Sequence, residues 1–143
     1  MTGTDPQQAP DPSPADAADP EDQEVIALAH RLLDHARQGQ AEPLLALIDA
    51  GAPVNLQDPA GNTPLMLAAY HGHAALVTEL AARGADVDLL NDRGQSPLAG
   101  AAFKGDLDVA RALLAAGADP SLGTPDARAT AQYFGRSDFI ELL

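Results

Sequence analysis

The residues with chemistry to offer are four histidines, four serines and a scatter of carboxylates. His71-x-His73 is the nearest approach to a ligand pair. Zinc needs three or four protein ligands, and neither His30 nor His35 stands at a recognisable spacing from it, so no metal site is expected. None of Ser13, Ser96, Ser121 and Ser137 sits in a Gly-x-Ser-x-Gly elbow, and no glycine-rich phosphate loop is present. Asp106 and Asp108 fall at the start of an expected helix, where the helix dipole and solvent explain them. There is no cysteine, which excludes disulfides and thiolate metal sites. The chain is therefore expected to be no enzyme and to carry no cofactor.

With catalysis set aside, charge and composition limit the partners. Net charge is −13. That argues against nucleic acid, whose phosphates call for a basic footprint, and against an anionic membrane surface. Half the excess sits early: residues 1–24 hold seven acids and neither lysine nor arginine, leaving 14 acids and all 8 bases for the rest. No apolar run approaches the roughly 20 residues that span a bilayer. No basic segment followed by an apolar stretch marks a secretory signal, so a cytoplasmic chain is expected. The composition is 45% hydrophobic but only 3% aromatic, so the core must be aliphatic and alanine-rich. The arginine-, alanine- and aspartate-rich usage, with Lys104 as its single lysine, fits a GC-rich bacterial genome.

The elements come from repetition. Residues 1–19 carry Pro6, Pro10, Pro12 and Pro14 among polar residues with no helical or strand period, and are expected to be a disordered acidic leader. Asp19, Pro20, Glu21 and Asp22 then read as a helix start. Thr63-Pro64-Leu65 returns 33 residues later as Ser96-Pro97-Leu98, Gly72 as Gly105, and Gly84-Ala85-Asp86 as Gly117-Ala118-Asp119. A fixed period of this length marks a stacked repeat architecture. In each unit Thr63 or Ser96 caps a short helix, Pro64 or Pro97 opens it, and Gly72 or Gly105 stops it. A second helix follows with an apolar seam (Leu76, Val77 and Leu80, or Val109, Leu113 and Leu114) and ends at Gly84 or Gly117.

These motifs resemble the ankyrin repeat family. The likeness rests on Asp58-x-x-Gly61-x-Thr63-Pro64-Leu65, Ala68-Ala69-x-x-Gly72-His73 and Gly84-Ala85-Asp86, matched by Gly94-x-Ser96-Pro97-Leu98, Ala101-Ala102-x-x-Gly105 and Gly117-Ala118-Asp119-Pro120. It implies an all-α solenoid of antiparallel helix pairs joined by β-hairpin loops, over residues 20–143. The repeats fall at about 22–57, 58–90, 91–123 and 124–143, two internal and two capping. The last is offset by 30 residues, which places a three-residue shortening around Leu122–Asp126. The family's histidine after Thr-Pro-Leu, which ties the helix start to the neighbouring loop, is replaced by Met66 and Ala99. His73 stands at the family's Gly-His position and is expected to be structural.

The resemblance implies a monomeric module that binds another protein through its concave face and loop tips. The position two before each helix-stopping glycine holds Arg37, Tyr70, Phe103 and Tyr133. Stacking should align these as a ladder with rungs about 10 Å apart. Met66, His71 and Lys104 join it as binding residues, with Asp92 and Arg93 at the loop tip and Pro59, Ala60, Asn62 and Gln95 on the rim. The alternative reading is an inhibitor or protective accessory of a specific enzyme, such as a stress-defence enzyme, because the chain resembles in size short bacterial ankyrin proteins, some of which accompany such enzymes.

Overall fold

A computed structural model describes residues 20–143, so the expected leader and its capping Asp19 lie outside the described residues. The chain divides into two compact units, Met1–His30 and Arg31–Leu143. Of the first, the described part is helical, with Pro20 opening the helix and Glu21 and Asp22 in its first turn.

The helices run in order α1 (Pro20–Gln38), α2 (Ala41–Asp49), α3 (Pro64–Tyr70), α4 (Ala74–Ala82), α5 (Pro97–Lys104), α6 (Leu107–Ala115), α7 (Ala127–Tyr133) and α8 (Ser137–Leu142). Within Arg31–Leu143 they form two layers. One sets α3, α5 and α7 side by side; the other sets α2, α4, α6 and α8. Ala68, Ala69, Ala101, Ala102 and Ala131 are at most 1% exposed between neighbouring helices of the first layer. Side chains this small allow close approach, so the sequence's alanine pairs fix the spacing. The second layer supplies the bulk: Leu76, Val77, Leu80, Val109 and Leu113 are buried, and Phe139 closes the core at the C-terminal end.

Caps fall where the sequence puts them. The Thr63 hydroxyl accepts the Met66 N–H at 3.2 Å and the Ser96 hydroxyl accepts the Ala99 N–H at 3.0 Å. Asp126 does the same for α7, accepting from Ala129 N–H at 2.8 Å, thirty residues after Ser96. The shortened fourth loop thus replaces a hydroxyl cap with a carboxylate. Gly72 and Gly105 take the positive φ expected of helix stops, 84° and 72°.

The loops depart from expectation. No β-strand forms among the described residues. The loops leading into α3 and α5 instead each close on one side chain. Asp58 Oδ1 accepts the N–H groups of Ala60 and Asn62; Asn91 Oδ1 accepts those of Arg93 and Gln95. One backbone bond closes each turn, from Asp58 N–H to the Asn62 carbonyl and from Asn91 N–H to the Gln95 carbonyl. Adjacent loops share single backbone bonds, Asp92 N–H to Ala60 O and Thr124 N–H to Gly94 O. That is too few for a ladder. The tie between loop and stack, made by a histidine in the expected pattern, comes here from Asn91 Nδ2 donating to Asn62 Oδ1 at 3.0 Å.

Gly61 and Gly94 are equivalent by the repeat and both have positive φ, 84° and 71°. A Cβ on Gly61 would lie 2.7 Å from the backbone nitrogen of Asp92, whereas one on Gly94 would meet nothing within 4 Å. Gly94→Ala should therefore cost about 1 kcal/mol from its left-handed backbone alone. Gly61→Ala should cost about 2–4 kcal/mol, because the loop above must move as well. Urea midpoints at constant slope measure both. Equal losses would show that the loop contact does not constrain Gly61.

Candidate functional site

Stacking brings the chain's exposed aromatics together along one edge of the α3–α5–α7 layer. The rings of Tyr70 and Phe103 lie nearly parallel, 13° apart in plane, with centroids 6.3 Å apart. Phe134 meets Phe103 edge-on at 5.2 Å. Tyr70, Phe103 and Phe134 are 40%, 44% and 43% exposed, each half covered by its neighbours and half open to solvent. The rungs sit closer than 10 Å because that figure describes helix axes, and these side chains lean toward one another.

Two expected rungs lie elsewhere. Tyr133 is 84% exposed and reaches the row only through the edge of Phe134, at 5.0 Å. Phe134 fills the third rung in its place. It occupies the register of Lys104, and both lean back onto the preceding repeat: Lys104 Nζ stands 4.7 Å from the Tyr70 ring centroid, as Phe134 stands against Phe103. Arg37 turns to carboxylates, 2.7 Å from Asp34 and 3.6 Å from Asp58. Since Asp58 organises its loop, Arg37 steadies that loop.

Beside the row, between α3, α5 and the loops above them, runs a groove of about 580 Å³. Met66 is only 7% exposed and lies in its floor with Ala99 and Gly100. Gly100, within α5, keeps the floor open beside Tyr70; a Cβ there would touch the Tyr70 ring at 3.8 Å. Asn62, Asn91, Arg93 and Gln95 line the loop side, and Phe103, Thr130 and Phe134 the far end. Asp92 is exposed beside this groove, its carboxylate turned over Gly61.

His71 sits at the groove edge, its ring 5.5 Å from Tyr70 and nearly perpendicular to it. Desolvation holds its pKa below the ordinary 6.5, helped by the nearby positive ends of His73, Lys104 and Arg37. The imidazole is thus largely neutral at pH 7. His73 faces away: its Nε2 lies 2.9 Å from the Arg37 carbonyl, so that nitrogen must carry the proton and donate. Arg136 makes the equivalent bond two repeats on, donating to Ala102 O at 3.0 Å and Phe103 O at 2.8 Å. The sequence reading missed this arginine. Its signal was the 30-residue offset, which aligns Arg136 with the positions of Asp106 and His73.

Among the described residues no group of three or more histidines and carboxylates gathers where an ion could be held. No helix among them is long and apolar enough to cross a membrane.

Comparison with known proteins adds a family. The model for ankyrin repeats (3 copies) matches residues 32–124, leaving α7 and α8 beyond the matched span. A Pseudomonas aeruginosa protein named as an ankyrin repeat protein is 49% identical over 62 residues. That stretch covers 43% of this chain and 34% of the relative, so the chain matches about a third of that protein's length.

Proposed function

Because this chain belongs to the ankyrin repeat family, whose repeats mediate protein–protein interaction, we propose that it is a non-catalytic adaptor or regulator that docks a partner protein in the groove beside the aromatic row. The observation that carries this reading is the continuous, half-exposed row Tyr70–Phe103–Phe134. Scattered surface aromatics need no explanation, but a contiguous set flanking a groove marks an interface. Aromatic rings supply large contact area at low cost in side-chain entropy and are the favoured anchors of interfaces. The scaffold behind them is packed and capped, so little ordering is required on binding.

Photo-crosslinking tests the face directly. A benzoylphenylalanine placed at Phe103 should form adducts with a cellular protein, whereas one at the exposed Thr78 on α4 should not. Adducts from Thr78 alone would place the interface on the second-helix layer and sink this reading. If the captured protein is an enzyme, its turnover with and without this chain separates an inhibitor or protective accessory from an adaptor.

A further inference from the structure

The groove has an unusual charge for the chain that bears it. Acids outnumber bases 21 to 8, yet among the described residues no aspartate or glutamate lines the groove. The nearest carboxylates are engaged or turned aside. Asp58 holds its loop and Arg37; Asp106 caps α6 through the Val109 N–H; Asp108 pairs with Arg111; Asp92 lies over Gly61.

The cations divide the other way. Arg37, Arg83 and Arg111 have carboxylate partners, and Arg136 is spent on two carbonyl oxygens. Four cations are exposed and have no carboxylate partner among the described residues: Arg31 and Arg128, which do not line the groove, Arg93, on its loop side, and Lys104, at the C-terminal end of α5. Arg93 and Lys104 bracket α5, a helix of 8 residues and so about 12 Å long. Roughly four residues of extended chain cover that distance.

Resting on the groove as the docking face, we propose that its occupant is an acidic segment of the partner, with an apolar anchor against Tyr70 and Phe103 and carboxylates reaching Arg93 and Lys104. Charge complementarity selects this chemistry. The chain as a whole repels an acidic segment, and two of its four exposed cations without a carboxylate partner among the described residues flank this groove, which favours such a segment's approach here. A carboxylate there gains charge-assisted bonds to donors that no internal group satisfies. A basic segment would meet two like charges, and the acids beside Lys104, Asp106 and Asp108, are held by the α6 cap and by Arg111, while the neutral His71 and the amide of Gln95 favour neither sign.

A random-peptide display library selected on the full chain, with Tyr70→Glu/Phe103→Glu as the counter-target, tests this. The expected winners carry acids flanking an apolar residue. They should bind at least tenfold more weakly to Arg93→Glu/Lys104→Glu and less tightly as salt rises. Arg93→Gln/Lys104→Gln should give an intermediate loss. Groove-dependent winners that are neutral or basic, and that bind the charge-reversed protein equally well, would overturn the acidic occupant while leaving the docking face intact. A library that yields no peptide sensitive to Tyr70 and Phe103 would remove the docking face and this inference together. Arg93 and Lys104 are both exposed, so the variants should fold, which a thermal melt checks.

Discussion

The double variant Tyr70→Glu/Phe103→Glu should lose at least a hundredfold in affinity for the crosslinked partner while keeping its helical circular dichroism. The two rings stack on each other and leave 40% and 44% of their surface open. Truncating a central aromatic anchor costs about 2 kcal/mol or more of binding, and two such anchors together exceed a hundredfold. Glutamate goes further than truncation, because it sets two like charges side by side and repels an acidic partner. The fold should survive. Both side chains leave the outer edge of the layer, and the core beneath them is made by Ala68, Ala69, Ala101 and Ala102, which are not altered. Loss of the stacked pair should cost about 1–2 kcal/mol of stability. Tyr133→Glu is the internal control: at 84% exposure it has little to lose and should bind within about threefold of the wild type. If Tyr133→Glu abolishes binding and the double variant does not, the row has been placed on the wrong residues.

Phe139→Ala should destabilise the C-terminal end by about 3–5 kcal/mol, the usual loss for a buried phenylalanine. Phe139 is 1% exposed and is the largest fully buried side chain in the molecule's described part. It sits on α8, which packs mainly on α6 and α7. In a stacked array each unit is held by its nearest neighbours, so an end pair has one interface where an internal pair has two. A loss of this size should exceed what that interface supplies. The expected readout is therefore local: amide exchange protection should vanish across 127–142 while α3 to α6 keep theirs. Phe139→Leu, which preserves most of the volume, should retain protection. Because Phe134 leads into α8, fraying should also blunt partner affinity. Unchanged protection in α7 and α8 of Phe139→Ala would mean that their stability comes from elsewhere.

Much of this molecule is local and therefore legible in its residues. A helix cap is a contact between residues three apart, and a proline at the first helical position acts on its own backbone. Thr63-Pro64, Ser96-Pro97 and the stops at Gly72 and Gly105 consequently fall where the spacing puts them. The period of 33 extends the same logic to the layers, because identical units stack identically. The aromatic row was legible as a position, two before each stop, and its middle rungs Tyr70 and Phe103 stand there.

Other features depend on distances between units, which no local pattern contains. Phe134, in the register of Lys104, rather than Tyr133 turns onto Phe103. Arg37 had a rung's position but found Asp58, the residue that closes the next repeat's loop, within reach. Met66 had a site residue's position but lies under the groove. Strand pairing was expected of loops whose turns close on Asp58 and Asn91 side chains instead.

By itself, then, the sequence determined an alanine-rich helical stack, its caps and stops, and an aromatic row, because each follows from contacts within one unit or from exact repetition of it. Only the tertiary structure decided which ring completes the row, where the groove runs beside it, and which cations flank that groove without carboxylate partners, because those outcomes are set by how side chains of different units compete for the same neighbours.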